Sequence, residues 1–107
     1  MKLTIPALLC LGLVTTAAQG AGDPQRGREL ATDCMGCHGI PSYNNVYPTY
    51  RVPRLGGQHA DYIVAALKGY KDGSRSHKTM HAQAATLSDQ DMQDLAAWFA
   101  SFPRKDK

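Results

Sequence analysis

Cys34-Met35-Gly36-Cys37-His38 is the stretch of sequence that decides how this chain folds. The spacing C-x-x-C-H is the attachment site of a c-type haem. Two thiols three positions apart lie about one helical turn from each other, so both can add to the two vinyl groups of one porphyrin. The imidazole that follows at once is then held beneath the iron. The motif therefore predicts covalent haem c.

Two other sites contain C-x-x-C, a redox dithiol and one half of a zinc site. A redox dithiol does not need the following His, and a tetrahedral zinc site needs further Cys or His ligands at zinc spacing. The only other cysteine of the sequence is Cys10. We therefore expect Cys34 and Cys37 to bind one haem.

Residues 1–20 read as a cleaved secretory signal peptide, which leaves 21–107 as one domain. Lys2 gives a short positive start, an apolar stretch follows, and small residues then offer cleavage sites. The apolar stretch is shorter than the roughly 20 residues of a transmembrane helix, although an uncleaved anchor is the alternative. Cys10 follows a leucine within this stretch, which argues against a lipid anchor. We expect an exported, soluble periplasmic protein that does not span a membrane when mature.

The mature domain is too short to build a large apolar core. It has about 87 residues, and domains of that size usually depend on disulfides, metals or cofactors. Its two cysteines are used by the porphyrin, so the haem must form the centre of the core. The net charge of the whole chain is +3, and removal of Lys2 lowers it to +2. No basic patch predicts a nucleic-acid partner.

Helices separated by loops account for the mature chain, which has no alternating strand pattern. Asp23-Pro24 predicts a helix start, and one apolar face then leads into the haem motif. Three prolines and two adjacent glycines predict irregular structure over 40–57. A second helix is predicted from about His59 to Tyr70, with Asp72-Gly73 as its stop. The face of the first helix contains Gly27, Leu30, Ala31 and Cys34, and the buried face of the second contains Ile63, Ala66, Leu67 and Tyr70.

A final helix is predicted to begin at Ser88 and to end at Pro103. Ser88 and Asp91 resemble a capping box, and three carboxylates crowd the first turns, where the helix dipole favours them. The fold class is therefore all-α. The apolar stripe of this helix contains Met92, Leu95, Trp98, Phe99 and Phe102, and its carboxylates are Asp89, Asp91 and Asp94.

Met80 is the best candidate for the sixth position of the iron. It is expected in a loop, 42 residues after His38. Met92 lies on the stripe of the last helix and is read as core, and Met35 lies inside the motif and cannot reach the opposite face. The alternatives are ligation by one of the neighbouring histidines, or an open position. Those histidines are His77 and His81.

Four motifs in this order make the chain resemble a class I c-type cytochrome. The similarity is greatest to short bacterial monohaem cytochromes c and to single halves of dihaem cytochromes c, and it covers nearly the whole mature chain. It implies a small cytochrome c fold, with helices and loops wrapped around one covalently attached haem. The motifs are Cys34-Met35-Gly36-Cys37-His38, Pro53-Arg54-Leu55-Gly56-Gly57-Gln58, Gly73-Ser74-Arg75 and Leu87-Ser88-Asp89-Gln90-Asp91.

The resemblance also implies roles for single residues. His38 is the proximal ligand and Met80 the distal one, so these two are the expected iron ligands. The carbonyl group of Pro53 accepts a hydrogen bond from the other imidazole nitrogen of His38. Arg75 is expected to be one of the residues that bind the cofactor. The first helix is expected to cross the last one at Gly27, where glycine permits a close approach.

A haem with His and Met ligands has no open coordination position, so the expected function is single-electron transfer and not catalysis. Expected partners are redox proteins, namely a membrane oxidoreductase, a terminal oxidase or a periplasmic dehydrogenase, and no small-molecule substrate. The alternatives are a dedicated haem subunit of a periplasmic dehydrogenase, and a haem sensor or peroxidase-like enzyme. Partners are expected to meet a weakly basic rim around an apolar centre. The rim residues are Arg51, Arg54, His77 and Lys78, and the centre contains Met35, Gly36 and Ile40.

Overall fold

Five helices and one short β-hairpin make up residues 22–104, the part of the chain that this computed structural model describes. The predicted signal peptide, with Cys10, lies outside the described residues. The mainly helical architecture predicted from the sequence is confirmed. Within 22–104, no helix combines the length and the apolar character needed to cross a membrane. The elements are α1 Pro24–Leu30, α2 Thr32–His38, β1 Asn44–Val46, β2 Thr49–Arg51, α3 Ala60–Asp72, α4 Lys78–Ala84 and α5 Asp89–Ala100.

The predicted helix ends are confirmed where a side chain or a glycine marks them. The Asp23 carboxylate accepts a hydrogen bond from the backbone N–H of Gln25 at 2.9 Å and caps α1. Ser88 and Asp91 form a reciprocal capping box at the start of α5. Gly73 ends α3 with a φ of 87°, a left-handed conformation that glycine adopts without steric cost.

The first predicted helix is divided into α1 and α2 at Ala31. The hydroxyl group of Thr32 donates to the carbonyl group of Glu29 at 2.9 Å. Such a side-chain bond competes with the helical backbone ladder, which explains the division. The apolar face continues across it, since Gly27 and Ala31 are both buried.

A β-hairpin replaces the strand-free loop that the sequence predicts over 40–57. Strands β1 and β2 pair antiparallel, with Asn44 opposite Arg51 and Val46 opposite Thr49. Each strand has only three residues, of which only the middle one is partly buried. That length is too short for an alternating pattern to appear in the sequence, so the prediction was wrong here.

Met80 lies in the short helix α4 and not in a loop, which corrects a second prediction. The imidazole Nδ1 of His77 accepts a hydrogen bond from the backbone N–H of Met80 at 3.3 Å and caps this helix. Ala84 is the only buried residue among the seven of α4, so the helix has no apolar stripe. Histidine is an unusual N-cap, and α4 has no apolar stripe. The sequence therefore shows neither of the two signals that would predict this helix.

The core lies where α1, α3 and α5 meet. Gly27 packs so closely on α5 that an added Cβ would overlap the carbonyl group of Asp94, which confirms the predicted crossing. Met92 is fully buried, as expected for a core residue. Phe102 follows the end of α5 with its side chain partly exposed, so it does not extend the helical stripe as predicted. The buried cluster contains Ala31, Ile63, Val64, Leu95, Ala96 and Phe99.

Two carboxylates of α5 join α1 to α5 through Arg26. Its guanidinium group donates to Asp94 and to Asp91, each at 2.6 Å. Asp94 is only 1% exposed and also accepts hydrogen bonds from the backbone N–H of Asp23 and the side chain of Gln90. Burial opposes ionisation of Asp94, but these donors lower the pKa of its carboxyl group below the usual value. Asp91 and Asp94 therefore bind Arg26 in addition to interacting favourably with the dipole of α5.

Candidate haem site

A cavity of about 390 Å³ lies between α2, the hairpin, α3 and α4. Its volume is within the usual range of cofactor pockets. Most of the chemically distinctive side chains singled out in the sequence meet here, although they come from α2, from the loop between α3 and α4, and from α4. Those that line the cavity are Cys34, Cys37, His38, Arg75, His77 and Met80.

Helix α2 supplies the three residues of the attachment motif. Cys34 and Cys37 are partly buried, unbridged thiols one helical turn apart, and both line the cavity. Burial raises the pKa of the Cys34 thiol, and the nearby carboxylate of Asp33 raises it further. The free thiol is therefore protonated at neutral pH.

His38 ends α2 with its imidazole ring held in one orientation. Its Nδ1 atom donates a hydrogen bond to the carbonyl oxygen of Pro53 at 2.6 Å. A carbonyl group only accepts hydrogen bonds, so the proton is on Nδ1 and the lone pair is on Nε2. Nε2 is then free to bind a metal, and the Pro53 bond is the usual kind of support for such a ligand.

The structure separates the candidates for the distal position. Met80 and His77 both line the cavity. The ring of His81 lies outside the cavity lining, and its Nδ1 donates to the carbonyl oxygen of Tyr70 at 2.7 Å. Met35 and Met92 also lie outside this lining. Met80 and His77 thus remain as the candidates that the fold brings to the side chains of α2.

Helix α3 forms an apolar wall of the cavity with part of the face that is predicted to be buried. Ala66, Leu67 and Tyr70 are only partly buried, and all three line the cavity. A stripe that faces a cofactor has the same helical spacing as a stripe that faces another helix, so periodicity does not distinguish the two. Tyr50 and Tyr62 also line the cavity and were not predicted there.

Arg75 places a positive charge on the cavity lining. Its guanidinium group donates a hydrogen bond to the hydroxyl group of Tyr62 at 3.1 Å and lies 4.9 Å from the ring centroid of Tyr70. The hydrogen bond to Tyr62 raises the pKa of Arg75 above its usual value. Arg75 is therefore a permanent cation beside an otherwise mainly apolar space.

Most residues of the expected docking rim have exposed side chains. Arg51, Arg54 and Lys78 have exposed side chains, and His77 is half-buried against the ring of Tyr50. The apolar residues Met35 and Ile40 are 37% and 44% exposed. Basic and apolar groups are therefore both accessible near the attachment motif.

The donor set of the cavity fits a haem c. It combines two thiols at attachment spacing, an imidazole with a free Nε2, and a thioether from another helix, among apolar walls such as Leu55 and Leu67. Sulfur and nitrogen ligands suit haem iron, and the apolar walls suit the porphyrin. The residues present are thus sufficient to hold the group that the sequence motif predicts.

Comparison with known proteins gives one family match, which covers most of the chain. The family model described as Cytochrome c matches residues 24–102. This range contains every cavity residue discussed above, from the thiols of α2 to Met80 in α4.

Three similar proteins show how the match extends over longer and shorter relatives. A cytochrome c4 of Pseudomonas aeruginosa is 41% identical over 100 residues, which cover 94% of this chain and 48% of that protein. A cytochrome c-554(548) of Halomonas halodenitrificans is 37% identical over 76% of this chain and 98% of its own length. The cytochrome subunit of sulfide dehydrogenase of Chlorobaculum tepidum is 30% identical over 98% of both chains. The chain spans about half the length of the cytochromes c4 that it matches.

Proposed function

Because the chain belongs to the cytochrome c family and has one covalently bound haem c, we propose that it carries single electrons between redox proteins in the periplasm. Cys34 and Cys37 attach the cofactor, and His38 and Met80 are the iron ligands. One observation carries the proposal: an imidazole and a thioether from separate helices line the same apolar cavity. The predicted cleavage near residue 20 and the mature domain 21–107 are part of this proposal.

The surrounding residues favour electron transfer over ligand binding. When bound, the haem supplies one-electron chemistry between ferric and ferrous iron. The thioether of Met80 closes the sixth position and favours the ferrous state, and the apolar walls disfavour the extra charge of the ferric state. Pro53 fixes the ring of His38, and Arg75 supplies a cation that can pair with a haem propionate.

Carbon monoxide distinguishes this function from a haem sensor or a peroxidase-like enzyme. The reduced holoprotein should titrate reversibly with one electron and bind carbon monoxide slowly, because Met80 must leave the iron first. Rapid binding, measured by stopped-flow absorbance of the wild-type protein, would contradict the proposal and favour an open or easily opened sixth position.

A second candidate function is that of a dedicated haem subunit in a periplasmic dehydrogenase. The similarity to the cytochrome subunit of sulfide dehydrogenase extends over 98% of both chains and favours this alternative. Gel filtration of extracts from the native host separates the two functions. A free carrier elutes at the size of one small domain, and a subunit co-elutes with its dehydrogenase.

We propose that the rim formed by Arg51, Arg54 and Lys78 directs an acidic partner to the site. Lys78 is exposed at the first residue of α4, two residues from Met80. Lys78→Glu should slow electron exchange with such a partner at low salt, and the difference should vanish at high salt, since exposed charges are screened over about 10 Å at 0.1 M. Lys68→Glu, an exposed change on α3, is the matched control. Equal rates for wild type and Lys78→Glu at low salt would contradict a steering role for this residue.

A further inference from the structure

The proposed function assigns no role to Tyr50 of the β-hairpin. Tyr50 is the middle residue of β2, is half-buried and lines the cavity. The hydroxyl group of Tyr50 donates a hydrogen bond to the hydroxyl group of Thr79 at 3.1 Å. Thr79 immediately precedes Met80, so the hairpin contacts the helix turn that presents the thioether.

A second contact joins the same tyrosine to the start of α4. The ring of Tyr50 packs edge-on against the ring of His77, with 4.7 Å between the centroids. His77 in turn caps α4 by accepting the backbone N–H of Met80. Tyr50 thus touches Thr79 in the first turn of α4 and His77, which caps that turn.

The hairpin also leads directly into Pro53, which supports the other proposed iron ligand, His38. Three residues after Tyr50, the carbonyl oxygen of Pro53 accepts the hydrogen bond from His38. Val52, between them, is buried, and its backbone N–H donates to the carbonyl oxygen of Tyr43 at 2.9 Å. The segment 50–53 is therefore anchored, binds the ring of His38 through Pro53 and contacts the first turn of α4 through Tyr50.

We propose that Tyr50 and Thr79 are positioning residues that hold Met80 in place as the distal ligand, with segment 50–53 as a brace between the two axial ligands. This inference rests on the proposed function, because it requires Met80 to bind the iron. Helix α4 has only seven residues and one buried side chain, so its own packing fixes it weakly. An external hydrogen bond to its first turn then shifts the balance between bound and released Met80.

The test is the affinity of the ferric holoprotein for added imidazole, which competes with Met80. Tyr50→Phe keeps the ring and removes the hydroxyl group, and Thr79→Val removes the partner. Each should raise the apparent affinity for imidazole about two- to fivefold, the effect expected from the loss of one partly exposed hydrogen bond. Both variants should also weaken the far-red sulfur-to-iron absorption band. Thr79→Ser keeps the hydroxyl group and should therefore behave as the wild-type protein does.

Tyr47→Phe is the matched control, since Tyr47 lies in the same hairpin with its side chain 94% exposed. The double variant Tyr50→Phe/Thr79→Val tests whether the two residues act together, and its effect should equal that of either single variant. Additive effects, or an effect of Tyr50→Phe alone, would overturn the proposal, since Tyr50 would then act by a route other than Thr79.

The spectra show separately whether Met80 is the ligand and whether Tyr50 and Thr79 position it. If wild-type protein shows the sulfur-to-iron band and Met80→Ala loses it, Met80 is the ligand. Unchanged imidazole affinity in Tyr50→Phe and Thr79→Val would then overturn the brace alone. If Met80→Ala keeps the wild-type band, both the ligand assignment and the brace are wrong.

Discussion

Two methionines with opposite environments allow the proposed ligand to be tested by single substitutions. Met80 lines the cavity, whereas Met92 is fully buried in α5 and outside that lining. Met80→Ala should abolish the far-red band of the ferric holoprotein and lower the reduction potential, because the soft thioether is lost. Absorbance spectra and redox titration measure both effects.

Met92→Ala is the control for that experiment. It should keep the band and instead reduce the free energy of unfolding by about 2–5 kcal/mol, the usual cost of a cavity left by a large core side chain. A band that survives in Met80→Ala, or that disappears only in Met92→Ala, would contradict the assignment.

Asp94 makes a pH-dependent contribution to stability. Its folded-state pKa is lowered, so its contribution is present above the unfolded value of about 3.9 and is lost as the pH falls through the lower folded value. Urea unfolding at pH 7 and at pH 3 should show wild-type protein losing more stability than Asp94→Asn. The exposed residue Asp89 supplies the control Asp89→Asn, which should keep the wild-type pH dependence. An equal loss of unfolding free energy between pH 7 and pH 3 in wild type and Asp94→Asn would contradict this role.

Some of these single-residue relations can be predicted from the sequence and others cannot. The motif of α2 indicates both thiols and the imidazole, because their chemistry depends on local spacing alone. Arg26 and Asp94 are 68 positions apart, and Tyr50 and Thr79 are 29 apart. No local pattern marks such pairs, since they depend on how distant elements pack.

At the scale of elements, the crossing of α1 and α5 depends on Gly27. Gly27→Ala should destabilise the folded protein by about 1–3 kcal/mol or more, because the added methyl group overlaps the backbone of Asp94 and must push the helices apart. Gly36→Ala, in α2 with open space around the added carbon, should change stability by less than about 1 kcal/mol. Thermal unfolding of the two holoproteins measures the difference, and equal midpoints would contradict the close crossing.

Elements with a cap or a long stripe were predicted, and the shortest ones were not. Helix α5 has both a capping box and a buried face, so its start could be read from the sequence. The strands β1 and β2 and the helix α4 have three, three and seven residues. Periodicity needs more residues than these elements have, and their order comes from tertiary contacts such as that between Tyr50 and Thr79.

For the whole molecule, we expect the haem to be required for folding. The cavity takes up space beside α2, α3 and α4, and helices of only seven residues, such as α2 and α4, are not stable without packing. Protein with both Cys34→Ala and Cys37→Ala, made without haem, should be largely disordered, as small domains are when they lose a structural metal. Far-ultraviolet circular dichroism measures this, with wild-type holoprotein as the control. A cooperatively folded, helical apoprotein would show that the polypeptide folds without the haem.

The contact between the first and last helices also sets an order of events for a newly made chain. Arg26 and Gly27 bind partners in α5 that are synthesised 65 or more residues later. The core therefore closes only after α5 has been made, and closing so long a loop slows folding. Cys34 and Cys37 are made early and remain accessible in an open chain throughout that interval. An enzyme that attaches haem to an extended polypeptide would thus reach both thiols before α1 and α5 come together.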